Sequence, residues 1–364
     1  MNEGRLSSVQ IIRGIAACLV VFLHASSQTR HGVLGGWPVW GLAGVDFFFV
    51  LSGFVITYIS IDHFGDKKYF SYFLSRRLLR IYPIHWFFAI LFLLLLPAMT
   101  SEKALDLPGI VQSMLLYPLP QRHHVNSVTW TLSHEIIFYS IFASAFWLRR
   151  NYFLALLGVW TSSILLFSYW KFSNNYALIT VLSRMNYEFL YGCAVAFMIR
   201  KGYYPRGRIF AIAAIAVGVS FLIGTRIANP EMTDVRFLVR LRHLYFGLPC
   251  AAILFGCVLL ESDSRTRIKQ FLLFIGDASY SIYLVHPLVI GLLMKRAKLG
   301  TFITDKHLIF ALLASCSIAA GCLAYACVEK PLLKWLYSRS PWNKRALVES
   351  TPPAAPSALP ETAS

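Results

Sequence analysis

Ten apolar runs follow one another along this chain, at residues 8–27, 38–60, 83–99, 128–148, 152–170, 178–199, 209–225, 243–260, 271–294 and 308–328. Each is close to the ~20 residues that a helix needs to cross the hydrocarbon layer of a bilayer. Composition agrees: 57% of the 364 residues are hydrophobic and 14% are charged, whereas a soluble globular domain carries about 25% charge. Aromatic residues at 15% argue against a disordered chain. The sequence therefore predicts an all-α, multi-pass membrane protein of about ten transmembrane helices.

The formal charge is +17, from 34 basic and 17 acidic side chains. These basic residues sit in short runs between apolar segments, as in the loops of a membrane protein, so no nucleic-acid partner is expected. Taking the amino terminus as one side, that side collects 21 Lys and Arg and the other 12, with Arg184 inside a run counted on neither. The excess predicts that both termini are cytoplasmic. Lys67, Lys68, Arg76, Arg77 and Arg80 weigh most in this count. The seven cysteines all lie in apolar stretches, none at metal-ligand or redox spacing, so they read as small packing residues. No internal repeat is visible. Residues 1–333 read as one membrane domain and 334–364 as a basic, then Pro/Ala/Ser-rich cytoplasmic tail.

A charge at the bilayer centre costs about 2.5–3.5 kcal/mol on insertion scales, so ionisable residues inside the runs are where chemistry is sought. Arg13 and His24 are eleven apart, about three helical turns plus 20°, which places both on one face about 16 Å apart. An arginine snorkelling to the interface and a histidine closing the outer end would be the plain account. Their shared face points instead to a common polar cavity, and predicts that the first run is kept although it ends like a cleaved signal. Asp46 stands beside three phenylalanines and needs a partner or a proton, while Ser52-Gly53 reads as a helix-packing contact. Arg77 and Arg80, three apart, face one way and suit phosphate recognition, although lipid headgroups would satisfy them too. Glu135 and Tyr139 share a face four residues apart. Arg184 and Glu188 read as an intrahelical ion pair. His286 precedes Pro287, which frees a backbone carbonyl for it. His123 and His124 read as surface residues. The chain is expected to leave the membrane after Glu329-Lys330-Pro331.

Together these segments resemble the acyltransferase-3 family of integral membrane acyltransferases, over residues 8–333. The resemblance is carried by Arg13 and His24, the run from Gly44 to Phe54, the Arg77-x-x-Arg80 pair leading to Tyr82, the stretch Trp130 to Tyr139, and Tyr280 to His286. It implies an O-acyltransferase using a cytoplasmic acyl-CoA, usually acetyl-CoA, as donor substrate; the residues themselves offer no metal-ligand spacing and no nucleotide loop, so no metal and no bound cofactor are expected. The acceptor it implies is a hydroxyl of a cell-surface or exported polysaccharide, or of its lipid-linked precursor. The setting it implies is the cell inner membrane, with polysaccharide assembly machinery as a partner. The chain is similar to the stand-alone members that exopolysaccharide O-acetylases represent.

On this reading His24 is the family's essential histidine and Arg13 its partner, with Glu135 or Asp46 orienting or charging the imidazole. Arg77 and Arg80 match the arginine pair and would bind the phosphates of coenzyme A, with Tyr82, Trp130, Tyr139 and His286 completing the binding groups. The chemistry fits the residue types, because deprotonating a hydroxyl for attack on a thioester suits a neutral imidazole. An acyl-histidine intermediate stays open. The competing class is a transporter or flippase of a saccharide or lipid-linked intermediate. It lacks the inverted repeats and paired broken helices that such proteins carry.

Overall fold

The computed structural model describes residues 6–29, 33–99, 106–170, 173–205, 207–228, 241–261 and 266–339. Over these residues the chain is helical, without strands. The apolar runs become α1 (Ser7–Ser27), α2 (Ala43–Ser60), α3 (Lys67–Met99), then the short α4 (Leu107–Met114), α5 (Trp130–Ala143), α6 (Arg150–Trp170) and the one-turn α7 (Tyr176–Val181). There follow α8 (Asn186–Lys201), α9 (Arg208–Ala228), α10 (Leu248–Leu259), α11 (Arg267–Gly291), α12 (Leu299–Phe302), α13 (Lys306–Ala324) and α14 (Lys330–Arg339). Side-chain caps set several starts: Asp106 accepts from Gly109 N at 3.2 Å, Thr266 from Lys269 N at 3.1 Å and Asp305 from His307 N at 2.7 Å. At α1 the Glu261 carboxylate does this from outside, accepting from Ser7 N at 3.2 Å and Ser8 N at 2.9 Å. A negative charge there also opposes the positive end of the helix dipole.

Seven helical stretches are long and apolar enough to cross a bilayer: Ser7–Ser27, Trp40–His63, Lys67–Leu95, Asn151–Trp170, Arg208–Ala228, Arg267–Lys295 and Lys306–Arg339. The expected runs at 128–148, 178–199 and 243–260 are also helical but broken into shorter pieces. The first ends in a 3-10 turn at Ser144–Phe146, the second divides into α7 and α8, and the third opens with a π-helical turn at His243–Gly247. Outward-facing apolar residues on α9, such as Ile209, Ile212, Val217 and Ile227, form a surface no aqueous protein would carry. The molecule is a multi-pass membrane protein with its apolar side chains on both the inside and the outside.

Close helix contacts bring polar groups to the centre. On α2 a Cβ at Gly53 would collide with the Phe189 carbonyl oxygen, and on α8 a Cβ at Gly192 would collide with that of Val50. Gly276 on α11 likewise leaves room only for the backbone of Gln10 on α1. Three apolar clusters surround these contacts, and Phe48 borders all of them.

Three expectations change. The third apolar run does not begin at Pro83: α3 is one helix from Lys67, so Arg76, Arg77 and Arg80 ride on the helix that enters the membrane. Glu329 is buried in a π-helical turn, Tyr325–Glu329, which joins α13 to α14. Arg184 and Glu188 form no intrahelical pair, because Arg184 lies in the turn before α8 begins at Asn186. His124 is no surface residue: it is buried, with Nδ1 3.4 Å from the Thr129 hydroxyl. Burial pushes its imidazole down to about 4. His123 is exposed as expected.

Candidate active site

A cavity of about 450 Å³ opens between α1, α2, α3, α5, α11 and the start of α14. Four cations, Arg13, Arg77, Arg80 and Lys330, and three carboxylates, Glu135, Asp277 and Glu329, line it. The spacing argument for α5 holds in detail, since the Tyr139 hydroxyl donates to Glu135 Oε1 one turn back. The same Oε1 accepts from Ser52 Oγ at 2.8 Å. Ser52 is therefore more than a small packing residue: it ties the carboxylate to α2. The Arg77 guanidinium stands 5.6 Å from the Tyr139 and Phe73 ring centroids, within cation–π range. Arg80 lies within electrostatic reach of Glu329, Tyr139 and Glu135. Glu329 accepts from Ser281 Oγ at 2.6 Å and feels the charges of Arg80 and Arg13.

Arg13, Arg77, Arg80, Glu135 and Tyr139 thus share one cavity. His24 and His286 sit together outside its lining, with ring centroids 4.9 Å apart. Tyr283 connects the two places: it lines the cavity, its ring centroid is 6.0 Å from that of His286, and its hydroxyl donates to Val128 O at 2.8 Å. Phe48 closes edge-on against it at 5.6 Å.

The remaining expected residues are elsewhere. Asp46 is fully buried and takes a two-point ion pair from Arg242, Nε to Oδ1 at 2.9 Å and Nη2 to Oδ2 at 2.9 Å. Neither Asp46 nor Glu135 is hydrogen-bonded to His24, whose Nδ1 meets Val20 O at 2.9 Å. Trp130 packs edge-on against Phe49 and His134. Tyr82 donates to Leu115 O at 3.0 Å, pinning the segment after α4 to α3.

Reading the sequence missed Arg242 as the partner of Asp46, and Glu329, Asp277 and Lys330 as cavity residues. Glu329 carried a signal, a carboxylate closing an apolar run. Arg242 lay at the edge of one and its pairing with a residue 196 positions away left no local trace.

Known proteins resemble this chain over most of its length. A family model described as an acyltransferase domain matches residues 6–326. The exopolysaccharide production protein ExoZ of Rhizobium meliloti (strain 1021) is 26% identical over 324 residues, 86% of this chain and 95% of that protein. The putative membrane-bound transacylase BcsY of Komagataeibacter xylinus is 26% identical, over 78% of this chain and 72% of its own. The acyltransferase MdmB of Streptomyces mycarofaciens is also 26% identical, over 93% of this chain and 94% of its own. No solved structure matches. With the family match running from the first turn of α1 to the turn that carries Glu329, the chain belongs to the acyltransferase-3 family of membrane acyltransferases.

Proposed function

We propose that the protein moves an acyl group, acetyl in the simplest case, from acyl-CoA to a hydroxyl of an exported or cell-surface polysaccharide or its lipid-linked precursor. The work would be done in the cell inner membrane. The observation that carries this reading is the cavity that joins Arg13, Arg77 and Arg80 to Glu135 and Tyr139, with His24 farther along the same helix as Arg13.

Arg77 and Arg80 would hold the phosphates of coenzyme A, a task for which forked guanidinium donors are suited. Glu135, fixed by Ser52 and Tyr139, keeps the arginines balanced and in place. About 450 Å³ is too little for a whole coenzyme A, but a volume in the range of small-molecule sites. The acyl-bearing arm would enter it from the arginine end. Arg13, about three helical turns from His24, would add its charge to the end of the cavity that receives the donor. His24 would take the proton from the acceptor hydroxyl and return it to the departing thiolate. The polysaccharide acceptor is favoured because ExoZ, 95% covered, is named for exopolysaccharide production.

The test compares O-acyl content of surface polysaccharide in a deletion strain carrying wild type or His24→Ala, at equal amounts in the membrane. Wild type should restore the acyl groups and His24→Ala should not. Equal restoration would make His24 structural and end this mechanism. Loss of the polymer itself from the surface, in place of its acyl groups, would favour saccharide transport.

A further inference from the structure

Asp277, Tyr280 and Tyr283 line the cavity from successive turns of α11, and His286 stands one turn beyond them, outside the lining. The first helix repeats this order: Gln10 and Arg13 line the cavity, and His24 lies about 16 Å past Arg13 along the axis. The cavity therefore ends at the turn of Tyr283, short of both imidazoles. At that end Phe48 meets Tyr283 edge-on, with 67° between the ring planes and 5.6 Å between centroids, a preferred geometry for two aromatic rings. The two rings are held differently. Tyr283 is buried, and its hydroxyl donates to Val128 O at 2.8 Å and stands 2.8 Å from Thr131 Oγ1. Phe48 has no polar atom to tie it down. Its neighbours Phe47 and Phe49 are buried, whereas Phe48 is half-buried and lines the cavity.

We propose that Phe48 fixes the size of the acyl group that the protein transfers: its ring, closed on Tyr283, narrows the passage from the cavity to the histidine pair. This rests on the proposed route, with the acyl-bearing arm in the cavity and His24 as the base. On that route the thioester has to reach the acceptor hydroxyl that His24 deprotonates, so the acyl group passes the Phe48–Tyr283 contact. The arm behind it is the same for every donor, and only the acyl chain changes. Butyryl carries two methylenes more than acetyl, and they need space that the Phe48 ring fills in a closely packed interior. Tyr283 cannot yield without giving up the bonds of its hydroxyl. Phe48 turns about its side-chain bonds at the expense of apolar contacts alone.

Detergent-solubilised full-length protein is given equimolar acetyl-CoA and butyryl-CoA together. The acceptor is the host's extracellular polysaccharide, stripped of ester-linked acyl groups by mild alkali. The butyryl-to-acetyl ratio on the polymer reports the ratio of kcat/KM for the two donors, whatever the amount of folded enzyme. Wild type should favour acetyl. Phe48→Leu should raise the ratio about tenfold, the scale of one methylene in an apolar pocket, and Phe48→Ala should raise it further. Phe48→Met is read in the same way if leucine yields no folded protein. A wild type that takes butyryl as readily as acetyl would overturn the proposal. So would an unchanged or lower ratio in the variants, or loss of all transfer in Phe48→Leu at the wild-type thermal midpoint. Failure of the underlying reading looks different. If wild type transfers neither group, or His24→Gln is as active as wild type, the route falls and takes this role with it. If transfer depends on His24 and Phe48→Leu leaves the ratio unaltered, only the role of Phe48 falls.

Discussion

Arg242 donates to both oxygens of Asp46 and, through Nη2, to the Leu42 carbonyl at 2.9 Å. Glu188, fully buried on α8, stands within electrostatic reach of both and neither of its oxygens meets a donor. One guanidinium therefore balances two carboxylates from two different helices. Removing Arg242 strands both acids in an apolar interior, and breaking a buried pair in this way costs about 3–5 kcal/mol. Arg242→Gln should lower the thermal midpoint of the detergent-solubilised protein sharply, whereas Asp46→Asn should lower it less because Glu188 remains to face the arginine. If Arg242→Gln melts with wild type, the cluster contributes nothing to stability. The roles of these residues also mark how much of the site can be read in sequence. Arg77 with Arg80, and Glu135 with Tyr139, were legible because a helix places residues three or four apart on one face. Asp46 announced that it needed a partner but gave no means of finding Arg242, since pairing between helices leaves no periodicity in the chain. Ser52 looked like a packing residue because small side chains in membrane helices usually are.

At the scale of elements, the length of each apolar run told where helices lie, and the basic residues ahead of Pro83 hid where one begins. The third apolar run opens at Pro83, yet α3 passes through that proline and spans 33 residues, Lys67–Met99. A proline forfeits one hydrogen bond and strains the preceding turn, a loss that burial of Ile81, Ile84 and Phe88 on the same helix opposes. Glu329 closes an apolar run, and only its packing against Ser281 shows that its carboxylate turns inward. The α2–α8 seam makes a sharper prediction. Gly192 has the Val50 carbonyl where a Cβ would go, and backbone cannot rotate aside as a side chain can. Gly192→Ala should part the two helices and lower the thermal midpoint, moving Phe49 off Phe189, with which it stacks at 4.7 Å. The control is Gly158→Ala on α6, where a Cβ meets nothing within 4 Å. There the better helix former should be neutral or stabilising, by up to about 1 kcal/mol. Equal behaviour of the two alanine variants would remove the seam's special status.

At the scale of the whole molecule, the proposed chemistry demands a direction. Acyl-CoA is a cytoplasmic metabolite, so the arginines of the cavity have to face the cytoplasm, with His24 toward the opposite side. Arg13 and His24 lie at opposite ends of α1, and Arg77 and Arg80 sit in the part of α3 nearest its amino terminus. The charge count points the same way on independent grounds, with 21 Lys and Arg on the amino-terminal side against 12 on the other. Two exposed positions decide the matter. Lys68 opens α3, two residues after Asp66, which accepts from its backbone N–H at 2.9 Å. Gln121 is exposed in the stretch that joins α4 to α5. All seven native cysteines are first replaced, because Cys316 and Cys327 are exposed on the helical surface. In that background Gln121→Cys should react in intact cells with a maleimide that cannot cross the membrane. Lys68→Cys should react only after the membrane is opened. The reverse pattern would put the arginine pair outside, beyond the reach of cytoplasmic acyl-CoA, and would refute the donor assignment even if every residue in the cavity proved essential.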